Sequence, residues 1–358
     1  MRIGSVLVKK SSKPSESVPA RKKTRRVAAV VLAVIAGVVI ATIVAFVVSP
    51  WPGALIIRGV FQSNAAKVLT IMEAYAPTSG VDQRLDIAYQ PDNDWSKMDV
   101  FYPTGTTANL GTIVWTHGGA WVSGNKSNDR PYFQILASHG YTVIGLNYTY
   151  GPEQTYPYAV NQLNDALAYI VANADDLNVD ASRMILAGDS AGAQLSSQLA
   201  VAVTNPSYAS ELGITPALSP DDLRGVILNC GIYRMDKMLG GSGIIAWGDE
   251  ISLWAYTGDR NLASSAAMTQ MSSYDFVTAA FPPTYISGGN ADPLTDLQSK
   301  PLADKLTDLG VDVTPLFWPA DETPALPHEY QFRLDLEAAQ TALTKTLEFI
   351  DTHIGSGK

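Results

Sequence analysis

Cysteine occurs once in 358 residues, at Cys230. An intrachain disulfide is therefore impossible, and a domain in an oxidising compartment must draw its stability from its core. Cys230 ends the apolar run Val226-Ile227-Leu228-Asn229-Cys230, where a cysteine behaves as a small buried hydrophobe rather than a reactive thiol. Histidine is almost as scarce, at four residues: His117, His139, His328 and His353. Once His117 is assigned to a glycine-rich turn, no His or Cys pair stands at metal-ligand spacing, so neither a metal nor a cofactor is expected. Charged residues make up only 16% of the chain, and Val27 to Val48 contain none. With 46% hydrophobic residues the chain is neither disordered nor collagen-like, and its length allows one large α/β domain or two small ones.

The charge that is present is split. Residues 1–26 carry nine Lys/Arg against Glu16 alone, a net of +8, leaving 16 Lys/Arg against 33 Asp/Glu, a net of −17, for the rest. The 22 residues between Arg26 and Ser49 have Thr42 as their one polar side chain. As a helix they reach about 33 Å, enough for a hydrocarbon core of about 30 Å. A cleavable signal peptide would carry a shorter apolar run, of about 7–15 residues, and a small-x-small site, which Phe46-Val47-Val48-Ser49-Pro50 does not offer. The expectation is a cytoplasmic basic tail (1–26), a transmembrane signal-anchor helix (27–48) in the lipid bilayer, and everything beyond it outside the cytoplasm. The basic run then sets topology and is no nucleic-acid site.

Residues 49–80 read as a connector with an amphipathic helix, because Ile57, Val60, Phe61, Ala65, Val68, Leu69 and Met72 recur every three or four residues. Packing on the domain and resting on the membrane surface are both open to it. Residues 81–358 alternate strands and helices. Strands are expected at 83–89, 97–102, 112–116, 142–148, 184–187, 226–230, 284–287 and 313–318, and helices near 132–138, 158–173, 191–203, 297–309 and 334–352. Such alternation implies a mostly parallel sheet with helices on both faces and ligands at the carboxyl ends of its strands. Between 232 and 282 it breaks into an aromatic-rich stretch containing Trp247, Trp254 and Tyr256, which reads as a cap.

Gly188-Asp189-Ser190-Ala191-Gly192 follows an apolar strand and opens a helix-compatible stretch. A nucleophile held in a strained strand-to-helix turn needs small neighbours on both sides, and Gly188 and Gly192 supply them. His117-Gly118-Gly119-Ala120-Trp121 follows another strand, and its backbone can turn N–H groups toward an oxyanion. Gly118, Gly119 and Ala120, with Ala191, are the expected donors. Of the histidines, His139 precedes Gly140 as a helix C-cap and His353 sits near the end of an amphipathic helix as a surface residue. His328 remains as the base, in a loop beyond the last strand. Asp292, just past the strand at 284–287, is the expected orienting carboxylate, with Asp236 its main rival. Trp121, Tyr148 and the cap residue Trp254 are candidate substrate-pocket residues.

His117–Trp121, Asn147-Tyr148-Thr149-Tyr150-Gly151-Pro152-Glu153, Gly188–Gly192, Asp292-Pro293-Leu294 and Pro327-His328 together resemble α/β-hydrolase carboxylesterases of the hormone-sensitive-lipase-like and feruloyl-esterase-like groups. Ala120 stands where that pattern has a third Gly, and Glu329 where a Gly often follows the His. The resemblance implies an α/β-hydrolase fold and a serine ester hydrolase acting on a small-molecule ester through Ser190, His328 and Asp292. An amidase or peptidase of the same fold is the nearest alternative, and a non-catalytic surface-binding protein is the next.

Overall fold

A computed structural model of the chain describes residues 4, 5, 7, 9, 10 and 19–355. Much of the expected basic tail, Arg2 and Lys13 included, lies outside the described residues, as do 356–358. Two compact units divide between Ser49 and Pro50. The first holds one helix, α1 (Pro19–Val48), in which Thr24–Val48 is a 25-residue stretch whose most apolar window has a mean hydropathy of 3.1 and no part buried against protein. The Thr42 hydroxyl donates to the Val38 carbonyl at 2.9 Å, so the one polar side chain of the apolar run is satisfied within the helix. This helix is long and apolar enough to cross a membrane, a description that a signal sequence also meets.

The second unit begins with α2 (Trp51–Glu73). One face of α2 is seated on the domain: Ala54 and Ile57 are buried with Val122, Ile251 and Ala255. Arg58 fixes that seat. Its guanidinium donates to both Glu153 carboxylate oxygens at 2.7 Å and to the Val122 carbonyl at 2.8 Å, and lies over the Tyr150 ring. Such a forked, partly buried pair holds orientation as well as energy. Val60, another apolar position of the connector pattern, is 65% exposed, so only part of that pattern packs on the domain.

An eight-stranded sheet follows, built from β1 (Val81–Ala88), β2 (Lys97–Pro103), β3 (Leu110–Thr116), β4 (Thr142–Leu146), β5 (Val179–Asp189), β6 (Leu223–Asn229), β7 (Thr284–Gly288) and β8 (Val313–Phe317). The spatial order is β1-β2-β4-β3-β5-β6-β7-β8; β1, β2 and β4 pair antiparallel and every pair from β4/β3 onward is parallel. The connecting helices are α3 (Arg130–Ser138), α4 (Tyr158–Ala172), α5 (Ala191–Thr204), α6 (Pro206–Leu212), α7 (Gly243–Thr257), α8 (Ala266–Met271), α9 (Ser273–Phe276), α10 (Lys300–Asp308) and α11 (Glu337–Ile354). Parallel strands covered on both sides have no polar face, which is why β3, β4 and β7 are buried at every position. Their side chains alternate between two cores. Val114, Leu186, Leu228 and Ile286 join α4, α5 and α10 on one face, while Ile113, Trp115, Ile185, Ile227 and Tyr285 join α3 and α11 on the other. Each such side chain contributes about 1.5–3 kcal/mol by its burial.

Three expectations change at element ends. The strand expected to reach Tyr148 stops at Leu146, since the Asn147 side chain turns to accept the Lys126 N–H at 2.7 Å. The helix expected from Leu297 opens with a wider turn at Thr295–Ser299 and becomes regular only at Lys300, with Pro301 in its first turn, where the missing N–H costs nothing. His353 packs on Phe349 at 4.4 Å between ring centroids and keeps only 14% of its side chain exposed, rather than facing solvent.

Candidate active site

The parallel strands deliver their carboxyl ends to one edge of the sheet, and several backbone-strained residues gather there. Ser190, at the joint of β5 and α5, has φ 50° and ψ −120°. Ala120 (φ 52°), Trp121 (φ 57°), Cys230 (φ 44°) and Glu329 (φ 59°) are also left-handed without being glycine. Conformations of this kind persist only where the surroundings over-determine them. For Ser190 the constraint is clear: a Cβ on Gly192 would strike the Thr116 carbonyl, and one on Gly188 would meet Gly192. The Ser190 N–H also donates to the Asn229 carbonyl at 2.9 Å. The turn thus holds the hydroxyl above the sheet edge.

His328 comes from the loop beyond β8. Its Nε2 is 2.9 Å from Ser190 Oγ and its Nδ1 is 2.8 Å from Asp292 Oδ2. With the ring proton on Nδ1, that N–H donates to the carboxylate and Nε2 accepts the Ser190 hydroxyl. Asp292 is held in turn: its Oδ1 accepts the Leu294 N–H at 2.9 Å. The two loops are stitched together, with the Ala291 N–H donating to the Leu326 carbonyl at 3.0 Å and the Leu326 N–H to Asn290 Oδ1 at 2.8 Å. Asp236, the rival carboxylate, is 60% exposed and pairs with Arg234 and Lys237. Burial opposes the His328 imidazolium, while contact with Cys230 and the carboxylates of Asp292 and Glu329 favours it; the balance raises its pKa well above the ordinary value.

The turn after β3 is braced from below. Tyr148 stacks on His117 at 4.6 Å and its hydroxyl donates to the His117 carbonyl at 3.3 Å. His117 Nδ1–H in turn donates to the Gly118 carbonyl at 2.7 Å, and burial pushes the imidazole down to about 4, so it is neutral. Asp189 accepts the Gly118 N–H and the Trp115 indole N–H, each at 2.8 Å. Gly118, expected as an oxyanion donor, therefore has its N–H committed to Asp189. The N–H groups of Gly119, Ala120 and Ala191 remain as candidates. Beneath this turn, Asp129, Asp189 and Glu329 line a small cavity of about 50 Å³. Burial, reinforced by Glu329, pushes Asp189 up to about 8. Burial, reinforced by Asp189 and Glu329, raises Asp129 as well.

Ser190, Asp292 and His328 open into a larger cavity of about 540 Å³. Its walls are mostly apolar: Phe61 from α2, Trp121, and Ile232, Met238, Ile245 and Leu253 from the segment after β6. Trp121 is fixed there by its indole N–H, which donates to Gln194 Oε1 at 2.9 Å. Tyr148 and Trp254 are not among the lining residues. Tyr148 belongs to the floor of the turn, and Trp254 is covered by Arg260, whose guanidinium carbon lies 4.8 Å from the ring centroid. Asp249 lines this cavity as well; Phe61 falls within the amphipathic pattern of the connector, but nothing local ties that pattern to this cavity. Among the described residues, Cys230, Asp292 and His328 form the one group able to offer a metal three ligand atoms, all within 4.8 Å of one another. Burial pushes the Cys230 thiol up to about 11, and both His328 nitrogens already face Ser190 and Asp292, so this donor set is engaged in the hydrogen-bond chain.

Sheet order, strained elbow and cavity together define an α/β-hydrolase of the serine esterase class. The BD-FAE family model matches residues 98–306, more than half of the chain, and the chain belongs to that family. Among solved structures it is similar to esterase B from Lactobacillus Rhamnosis, with 21% identity and a TM-score of 0.72 over 85% of this chain and 95% of that one. It is similar as well to the esterase of the archaeon Pyrobaculum calidifontis, with 19% identity and a TM-score of 0.65 over 84% of this chain and 91% of that one. A bacterial heroin esterase matches at 20% identity and a TM-score of 0.64, over 83% and 90%. At these identities the likeness is one of fold.

Proposed function

We propose that the chain is a membrane-anchored serine ester hydrolase, with residues 1–26 cytoplasmic, 27–48 in the bilayer and the hydrolase domain (81–358, capped by about 232–282) outside. The observation that carries the catalytic reading is the chain Asp292–His328–Ser190, at 2.8 and 2.9 Å. The Ser190 hydroxyl attacks the acyl carbonyl carbon while His328 Nε2 takes its proton. Asp292 keeps the ring proton on Nδ1 and stabilises the imidazolium that forms. The carbonyl oxygen, now negative, turns toward the N–H groups of Gly119, Ala120 and Ala191 at the start of α5. Collapse of the tetrahedral intermediate expels the alcohol, which receives the proton from His328 and leaves Ser190 acylated. Water then attacks the acyl carbon, again through His328, and returns the free serine and a carboxylic acid. The mostly apolar cavity suits an acyl chain.

The anchor reading rests on the charge-free run behind nine basic residues and on a helix with no buried window. Hydrolysis of p-nitrophenyl esters of graded acyl length, beside the matching p-nitroanilides, tests the ester reading. Turnover of the esters is expected; turnover of the anilides alone would make the protein an amidase, and turnover of neither would leave a binding protein. Retention of the full chain in membranes through an alkaline carbonate wash tests the anchor.

A further inference from the structure

Exposed large hydrophobic side chains are few and unevenly spread over the domain. Among the described residues after Pro50 there are ten: Trp51, Leu55, Ile56, Val60, Tyr75, Leu85, Val171, Ile244, Ile245 and Leu297. Seven fall in two places. Trp51, Leu55, Ile56 and Val60 occupy the first ten residues of α2, on positions left free by its seating through Ala54, Ile57 and Arg58. Ile245 and Leu297 line the catalytic cavity, and Ile244 precedes Ile245 in the chain without lining it. Ile244, Ile245 and Val60 are the most exposed of these ten, at 76%, 72% and 65%. Phe61 joins the two places, since it borders both the groove along α2 that contains Ile56 and Val60 and the cavity that contains Ser190. The result is an apolar surface running from the start of α2 to the cavity mouth, and such surfaces on soluble domains mark a partner or a membrane.

The chain itself indicates which. α1 ends at Val48 and α2 starts at Trp51, so only Ser49 and Pro50 intervene. Three peptide steps carry the chain at most about 11 Å. If α1 crosses a bilayer, Trp51 therefore cannot leave its interfacial layer, where tryptophan is favoured. Tethered there, the apolar strip of α2 meets the lipid at high effective concentration and needs little intrinsic affinity to stay. We propose that the surface formed by Leu55, Ile56, Val60, Ile244 and Ile245 rests in the interface of the bilayer that α1 crosses, and that the catalytic cavity draws neutral esters with long acyl chains directly from the lipid. The net charge of −17 beyond residue 26 disfavours anionic lipids as the substrate. This inference rests on the membrane-anchored esterase reading and adds to it the orientation of the cavity and the source of its substrate.

The test uses the full chain in phosphatidylcholine vesicles containing dioleoylglycerol. A nitroxide introduced through Val60→Cys reports depth, because Cys230 is buried and stays unlabelled; Asp176→Cys, at an exposed position away from α2, is the aqueous control. Greater accessibility of the Val60 label to oxygen than to a water-soluble nickel chelate is expected, with the reverse order at position 176. The combined substitution Leu55→Ser, Ile56→Ser and Ile244→Ser, none of which lines the catalytic cavity, should lower hydrolysis of the vesicle-borne diester by about tenfold and leave p-nitrophenyl acetate turnover within about twofold. A Val60 label open to the chelate, or equal loss or no loss on both substrates, overturns the inference. Release of the protein by carbonate, or no turnover of p-nitrophenyl acetate by the unmodified chain, identifies failure of the underlying reading instead.

Discussion

Two helices of this chain invert the usual relation between composition and burial. From Val27 to its end, α1 has Thr42 as its one polar side chain, and none of its most apolar window is buried. α5 contains Gln194, Ser196, Ser197 and Gln198, and every residue from Ala191 to Val203 is buried. The difference is one of partners. In α5 the polar groups are paired through the fold: Gln194 accepts from Trp121 and donates to Gln198 and to the Met271 carbonyl, while Ser196 donates to the Ala187 carbonyl. Burial of a polar side chain is cheap when its hydrogen bonds are complete. In α1 no neighbour is required, since backbone and Thr42 are satisfied from within, and the side chains call for an apolar solvent. One helix is specified by its own sequence; the other only by the sheet beneath it.

That contrast can be broken most sharply at the head of α5. Ser190→Ala should reduce kcat/KM for p-nitrophenyl esters by about 10⁴-fold or more without altering the circular dichroism spectrum. Residual activity within tenfold of the parent would remove Ser190 from the chemistry. Next comes Gly192→Ala, which drives a Cβ into the Thr116 carbonyl. A loss of about 3 kcal/mol is expected from urea unfolding, whereas Gly37→Ala in α1, where a Cβ meets nothing within 4 Å, should leave membrane retention unchanged. Gln194→Leu strands the Trp121 indole N–H and the Met271 carbonyl and should cost about 2 kcal/mol. Thr42→Leu, the matching change in α1, should alter neither stability nor membrane retention; equal losses at both sites would dissolve the contrast.

A smaller effect comes from pH, because the domain buries ionisable groups and the apolar run of α1 has none. Asp189, raised to about 8, holds in the folded state a proton that the unfolded chain has already released above about pH 4. Stability from this group therefore falls as pH rises, by about 1 kcal/mol between pH 7 and 9. His328, also raised, acts in the same direction, while His117, near 4, is neutral in both states there. Urea midpoints should decline over that range; a constant or rising midpoint would contradict the assignment. Ester hydrolysis should rise with pH, because the raised pKa of His328 keeps this base protonated to higher pH than an ordinary histidine.

The elements that sequence made legible are those in which a residue's role is settled by its near neighbours. Gly188 and Gly192 announce the elbow because its sterics are local, and the buried strands announce themselves as apolar runs. The Gly118 N–H could not be assigned this way, since its capture by Asp189 depends on β3 and β5 lying side by side. Tyr148 and Trp254 had the right chemistry for a pocket, but the sheet end turns one under His117 and Arg260 covers the other. Phe61 lies more than a hundred residues before Ser190, and no periodicity within α2 says which surface it will border.

The central claim is that Ser190 is the nucleophile, activated by His328, which Asp292 holds in place. A fluorophosphonate probe applied to the full chain, followed by mass mapping of the modified peptide, tests it most directly. The account predicts one adduct, on Ser190, with labelling strongly slowed by His328→Ala. An unlabelled native protein, or an adduct that forms at the same rate on the Ser190→Ala variant, would contradict it.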